Sequence, residues 1–486
     1  MDAHKGLCYE SPGCLNQIAV LRFVVLWNDG PKDRRATMKA CTAGRRVVSW
    51  GRPVRRRAGA FVPLPHPTHA ARRHEVTRKT GTQFASLWLA ATFAFVGAPA
   101  ATGDVTRFKQ DRFVISYWYG PMLDSYAGQR YKDMADAHFN VIHGAFNPES
   151  DKLFEVARKY DMPAIACVRG KPVKGWPSDP YCWGYHISDE PSAADFPNLR
   201  ARVDEVRQHH PGKLAYINLY PNYANAKQLG TATYDEHVAR FVREVNPDVL
   251  SMDHYPRFKH DRDGRDGYCS NLEVMRKYSL KAGIPFWNFF NTMPFGGHTD
   301  PTEAQIRWQI YASLTYGARG VLYFCYATPP GSVFIREGAI LARDGTLTRH
   351  YDQARRINAQ IAKLGPTLMQ LTSTGVYRVG PDDDASRVLA GSGIKNITGR
   401  ESDPPNDYLA GAFRHSDGRR AAMVMNYRLL LTAWPTVEFD VPVEQVREVD
   451  KRTGKEIPVR DDSPGMPGLQ LSLDDGEGRL FILPAK

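Results

Sequence analysis

The chain is poor in the residues that build covalent or metal frameworks. Seven cysteines in 486 residues are too few for a disulfide scaffold, and no C-x-x-C pair marks a zinc site. No H-x-H or H-E-x-x-H spacing offers a metal cradle, and no G-x-G-x-x-G or Walker sequence offers a nucleotide loop. No metal and no cofactor are therefore expected. The uncharged apolar run at 84–97 has 14 residues, short of the roughly 20 a membrane helix needs, so no stable membrane span is expected. What the chain does have is core material: 42% hydrophobic and 11% aromatic residues exclude a mostly disordered polymer. The length leaves room for two or three domains of roughly 100–200 residues each.

Negative charge is scarce in one place only. The formal net charge is +12, a balance that would suit nucleic acid. Residues 1–80 carry 16 of the 64 basic and 5 of the 52 acidic side chains, a net of +11, which leaves +1 for residues 81–486. Nucleic-acid binding loses its basis once the charge is placed.

After that basic stretch come Arg78-Lys79, the apolar run FASLWLAATFAFVG and then Ala98-Pro99-Ala100. A basic patch, a short apolar core and small residues at −3 and −1 make a secretory signal peptide over 76–100. It stands far from Met1. Residues 1–75 are read as a basic extension of low structure behind a start codon assigned too early, with translation beginning at Val76 from a GTG codon. The mature chain then starts near Ala101, is secreted or periplasmic, and keeps Cys167, Cys182, Cys269 and Cys325.

From Phe113 short apolar strands alternate with amphipathic helices. The strands are 113–120, 140–146, 163–168, 181–191, 213–221, 248–256, 285–292 and 320–329. Eight β-α repeats over about 250 residues predict a (β/α)₈ TIM barrel across 101–365. The alternative for this alternation, a doubly wound open sheet, lacks its nucleotide motif. After Gly365 the helical period gives way to short β-runs such as YLAGAFRH, RAAMVMNY and GRLFILP, separated by turns such as Ser416-Asp417-Gly418. Residues 366–486 are read as an antiparallel β-sandwich that serves as a packing module.

In such a barrel the chemistry sits at the C-terminal ends of the strands. Those ends carry Tyr117 and Trp118; His143 and Asn147; Arg169; Asp189 and Glu190; Asn218 and Tyr220; Asp253, His254 and Tyr255; Trp287 and Asn291; and Tyr326. Carboxylates are few and aromatics many. Flat rings stack on sugars while amides, imidazoles and carboxylates satisfy hydroxyls, and two carboxyl groups are the usual minimum for cutting a glycosidic bond. Glu190, Asp253 and Asp189 are the catalytic candidates and the other residues named are the substrate-binding candidates, with a carbohydrate as the partner. His143 and His186 could be read as metal ligands, but a core or substrate-binding role suits isolated histidines better.

The SDEP sequence closing strand four resembles the acid/base position of clan A glycoside hydrolases, whose strand four ends Asn-Glu-Pro. GARGVLYFCYATP and the following ARDGTLTRHYDQARRINAQIAKLGP are similar to family 42 β-galactosidase-type barrels. The resemblance spans about residues 110–365 and implies a glycosidase with Glu190 as general acid/base. Two departures stand out: Asp189 occupies the place of the Asn, and strand seven, IPFWNFFNT, has no nucleophilic Glu. Three mechanisms follow. Asp253 could replace the nucleophile, with carboxyls about 5–5.5 Å apart, or activate water at about 6.5–9.5 Å. Alternatively the Asp189-Glu190 pair resembles substrate-assisted β-N-acetylhexosaminidases of families 20 and 123, where the Asp orients the acetamide, the Glu is the acid, and Tyr255 would bond the acetamide. That last reading requires a kink near Glu190-Pro191, because successive strand residues face opposite ways. A non-catalytic carbohydrate-binding barrel is the competing class.

Overall fold

The computed structural model describes residues 106–144, 150–168, 172–259, 262–399 and 406–486. The expectations for 1–100 lie outside them, as do Asn147 and Arg169.

Eight parallel strands form the first part of the fold. They are β1 (Val114–Trp118), β2 (Ile142–Gly144), β3 (Ala164–Cys167), β4 (Cys182–Asp189), β5 (Leu214–Asn218), β6 (Leu250–Asp253), β7 (Phe286–Asn291) and β8 (Gly320–Phe324). They pair as two four-stranded parallel sheets, β2-β3-β4-β5 and β6-β7-β8-β1. A parallel bridge between Leu219 and Met252 joins β5 to β6. At the other edge the Asn140 amide donates to the Ile115 carbonyl at 3.0 Å, and Ser116 Oγ donates to the Val141 carbonyl at 2.9 Å.

Strand alternation sorts the side chains into two packed layers. Val114, Val141, Ile165, Leu214, Tyr216, Val249, Trp287, Phe289 and Leu322 gather in one cluster between the strands. Their neighbours Ile115, Tyr117, Ile142, Ala164, Tyr185, Ile217, Met252, Phe290 and Tyr323 pack outward under the helices. Both faces are buried, so each strand reads as an apolar run rather than a clean alternation.

Among the described residues seven helices of two turns or more accompany the strands: α1 (Ala127–Asp136), α2 (Ser150–Lys159), α3 (Phe196–His209), α4 (Tyr234–Val245), α5 (Arg265–Ala282), α6 (Glu303–Thr315) and α7 (Arg349–Leu368). Their ends obey local chemistry. Thr302 and Gln305 form a reciprocal capping box on α6, and Gly283 closes α5 in a left-handed turn. The sequence count of eight complete β-α repeats is corrected at the third. Between β3 and β4 the described residues hold only the 3₁₀ turn Val173–Gly175, because Pro172, Pro177 and Pro180 interrupt any helix there. The expected helix stop at Gly365 also moves, since α7 continues through Pro366 to Leu368.

The C-terminal part is antiparallel. Its strands are β9 (Leu371–Val379), β10 (Ile394–Thr398), β11 (Tyr408–His415), β12 (Arg420–Asn426), β13 (Thr436–Phe439), β14 (Arg447–Val449), β15 (Glu456–Pro458), β16 (Leu469–Gln470) and β17 (Gly478–Leu483). One sheet has the order β9-β11-β12-β17-β14-β15, the other β10-β13-β16. Leu409, Ala421, Met423, Met425, Leu480 and Ile482 turn toward the core that holds the parallel sheets. Ala410, Ala422, Val424, Phe481 and Leu483 turn the other way, onto Ile394, Val437 and Phe439 of the smaller sheet. Helix α6 lies against the first face, which explains why it is buried on nearly every side. The approach is close. A Cβ on Gly411 would meet the Thr315 carbonyl at 2.4 Å, and one on Gly478 would meet the Tyr311 ring at 2.7 Å.

Candidate active site

The ends of β4, β5 and β6 converge on three carboxyl groups. Asn218, the last residue of β5, is buried, and its side-chain nitrogen donates to Asp189 Oδ1 at 3.2 Å and to Asp253 Oδ1 at 3.0 Å. Both carboxylates hang on one amide, so their nearest oxygens are no farther apart than those two bonds laid end to end. The amide is itself held. Ser251 Oγ donates to Asn218 Oδ1 at 3.0 Å, and the Tyr216 hydroxyl lies 2.8 Å from Ser251 Oγ.

Glu190 joins the group through its backbone. Strand β4 carries an extra residue, its register with β5 slipping between His186 and Ser188. Glu190 then adopts a left-handed conformation at φ 47°, while its amide donates to the Asn218 carbonyl at 2.8 Å. A non-glycine residue in that region costs of order 1 kcal/mol. The bend lets two consecutive side chains face one site, which a regular strand forbids. The turn falls on Glu190 itself, one residue before Pro191.

Electrostatics follow from this crowding. Burial raises the Glu190 carboxyl well above the usual range, and the charges of Asp253 and then Asp189 raise it further. Burial and the Asp189 charge raise Asp253 to about 7, with the Asn218 and Tyr255 side chains pulling it back down. Asp189 rises to about 6 through burial, opposed by its bond from Asn218. Only Glu190 has no neutral donor among the causes that act on it. It lacks the hydrogen bond that favours the charged form of its two neighbours.

Aromatic side chains surround these groups. Tyr220 is half-buried and Tyr255 buried, and both feel the charges of Glu190 and Asp253. Tyr255 packs on Phe324 and Phe295, with ring centroids 4.8 and 5.3 Å away. Trp118 and His143 occupy the inner face with centroids 4.9 Å apart, and His143 also meets His186 at 5.3 Å and Tyr216 at 5.2 Å. Among the described residues neither ring nitrogen of His143 has a hydrogen-bond partner, and burial keeps the ring neutral by lowering its proton affinity. Among the described residues no three His, Cys, Asp or Glu side chains are placed to hold a metal ion.

Five expected substrate-binding residues lie elsewhere. Tyr117 and Tyr326 face outward and pack together with Phe139 under α1, because odd positions of β1 point to the helices. Trp287 stands at the start of β7, fully buried, its indole donating to Gln110 at 3.0 Å and its ring stacked on Tyr216. His254 is buried behind Asp253, its Nδ1 donating to Asn271 Oδ1 at 3.0 Å. Asn291 is buried and its polar atoms are used by the main chain: it donates to the Thr299 carbonyl at 3.3 Å and accepts from the Met293 amide at 3.2 Å.

Sequence reasoning missed Tyr223. It is 55% exposed on the loop after β5, its ring 5.0 Å from that of His254, and a second tyrosine three residues after Tyr220 in NLYPNYAN was the available signal. It also missed Ser251 and Tyr216, whose interior positions read as ordinary strand residues.

No protein-family model matches the chain, and no curated protein does. Solved structures do resemble it. A β-galactosidase from Bacillus circulans sp. alkalophilus aligns with a TM-score of 0.50 at 11% identity, over 76% of this chain and 99% of that one. Gan42B, a family 42 β-galactosidase from G. stearothermophilus, aligns with a TM-score of 0.50 at 10% identity, over 78% of this chain and 100% of that one. Against the β-galactosidase of Marinomonas ef1 the chain spans 60% of that protein's length and 52% of its own, with a TM-score of 0.41 at 11% identity. At these identities the first two establish a common fold: parallel β-α units with a C-terminal antiparallel sheet.

Proposed function

We propose that this chain is a hydrolase of glycosides in which Glu190 is the general acid. The shared fold is that of proteins named β-galactosidases, but a fold hosts many chemistries. The carrying observation is local. Three carboxyl groups meet at the C-terminal ends of β4–β6, and a left-handed turn at Glu190 brings it beside two carboxylates tied to one amide. A protonated carboxylic acid beside a carboxylate is the pairing that glycosidic cleavage requires. Glu190 protonates the leaving oxygen; Asp253, whose charge acts on Glu190 more strongly than that of Asp189, supports the anomeric carbon or activates water. In this reading the two parallel sheets close into one (β/α)₈ barrel, Trp118, Tyr220 and Tyr223 supply sugar-stacking faces, and the chain is exported by the segment at 76–100.

The substrate-assisted alternative is favoured by one observation. Strand β7 offers no carboxylate and its terminal Asn291 is committed to the main chain, while Asp189 stands directly beside Glu190. It assigns Asp189 the orientation of a substrate acetamide.

A panel of aryl glycosides, including N-acetylhexosaminides, tests both. Hydrolysis lost in Glu190→Gln is the expected result. Activity confined to N-acetylhexosaminides selects the alternative. Sugar binding by wild type and Glu190→Gln without turnover in either would overturn the enzyme reading.

A further inference from the structure

Behind the carboxylates runs a buried hydrogen-bond chain whose direction is forced. An amide oxygen only accepts, so Ser251 must spend its proton on Asn218 Oδ1. Ser251 Oγ is then left as the acceptor for the Tyr216 hydroxyl. The sense of the chain is Tyr216 to Ser251 to Asn218, with the two amide protons of Asn218 delivered outward, one to Asp189 and one to Asp253. Tyr216 and Ser251 are buried, at 1% and 0% exposure. Burial shields these bonds from bulk solvent, and reversing one link would leave a buried donor facing a donor, at a cost of about 1–3 kcal/mol.

The delivered protons discriminate between the carboxyl groups. A carboxylate that accepts an amide N–H is stabilised in its charged form. Asp189 and Asp253 each receive one; Glu190 receives none from Asn218, since the Asn218 atom near it is a main-chain carbonyl that accepts from the Glu190 amide. The other titratable groups that act on Glu190, or on which it acts, are Asp189 on its own strand, Asp253 from β6, Tyr220 and Tyr223 from the loop after β5, and Tyr255 from the loop after β6. The tyrosines are all displaced further from ionisation and stay neutral at working pH. Among the described residues no cation acts on Glu190 itself; Arg257 acts on Tyr223.

We propose that the Tyr216–Ser251–Asn218 chain is a polarity-fixed relay that assigns the shared proton of the cluster to Glu190 by holding Asp189 and Asp253 as the preferred anions. Asn218 is then a positioning residue, acting through the carboxylates it orders rather than as a sugar contact. Ser251 and Tyr216 act one and two bonds further back and never reach the substrate.

The inference rests on the glycosidase reading for its purpose and not for its test. The test is a titration of the Asp and Glu side-chain carboxyls by carbon-13 NMR in the whole folded protein, assigned by comparison with Glu190→Gln, Asp189→Asn and Asp253→Asn. Wild type is expected to give Glu190 the highest midpoint of the three. Ser251→Ala frees the Asn218 amide to turn over, and the Glu190 midpoint should fall by about one pH unit, a tenfold loss of proton affinity, while those of Asp189 and Asp253 rise. Asn218→Leu should do the same more strongly, and Ser251→Thr, which keeps the hydroxyl, should restore the wild-type order. If Asn218→Leu fails to fold, the Ser251→Ala and Ser251→Thr pair decides alone. Unchanged midpoints in folded Ser251→Ala, or the same shift in Ser251→Thr, would overturn the relay. If the midpoints shift as stated and no glycoside is cut, the relay stands and the glycosidase reading fails.

Discussion

Strands β4 and β7 end alike in sequence and differently in chemistry. Each carries polar residues past an apolar run, Ser188-Asp189-Glu190 in one and Asn291-Thr292 in the other. At β4 the chain spends strain, a bulge and a left-handed residue, to hold carboxyls that lack full compensation. At β7 the Asn291 side chain answers main-chain donors and acceptors, and Gln309 pins the same turn with bonds of 2.9 and 3.0 Å. One strand end gathers buried charges; the other holds neutral groups, of which the buried Thr292 hydroxyl has no hydrogen-bond partner among the described residues. Polar residues at a strand end therefore mark a candidate site most clearly where ionisable groups are crowded together rather than spent on the main chain.

That contrast can be broken in four ways, of decreasing effect. Glu190→Gln should lower kcat on glycosides with poor leaving groups by about 10²- to 10⁴-fold, with folding retained, as measured by steady-state kinetics and circular dichroism. Asp253→Asn should cost about a hundredfold in kcat and yet raise Tm at pH 8. The sign follows from linkage. Its carboxyl lies near 7 in the fold against about 3.9 unfolded, so stability is full below pH 4 and is lost as pH rises toward 7. The neutral amide avoids that loss, and the Tm gain should vanish at pH 4. Asn291→Ala should do the opposite at β7. It destabilises by about 1–3 kcal/mol through unpaired buried groups, read by denaturant unfolding, and leaves the carboxyl titrations of the folded protein unchanged. Tyr223→Ala should raise KM by roughly threefold to tenfold, the worth of about one stacked ring, without change in Tm because the side chain is exposed.

How much of this could be read in advance depended on the kind of information each residue carries. The eight strands were legible because apolar runs bounded by turns need no tertiary knowledge. Glu190 and Asp253 were legible because carboxylates at strand ends have no structural excuse. The inward or outward sense of Tyr117 and Trp118 was not, since both faces of these strands are apolar and the alternation leaves no trace. Trp287 was misjudged for a related reason: strand seven runs six residues, and its start and end look equally aromatic. The third repeat is counted as complete although no helical run stands between strands three and four, where Pro172, Pro177 and Pro180 leave only a 3₁₀ turn among the described residues. The relay was invisible, because the direction of a hydrogen bond is a property of neighbours that are 33 and 35 residues apart in the chain.

The six-stranded sheet, clothed in apolar residues on both faces, bears on how such a protein can be inherited. A fragment ending with α7 would bare Trp308, Tyr311 and their neighbours on α6 to water, and the severed sheet would bare Met423, Leu480 and Ile482 in turn. Neither piece could be lent to another gene, trimmed by a protease or expressed by itself without becoming sticky. The two halves are expected to fold and persist together, each covering apolar surface that the other would expose.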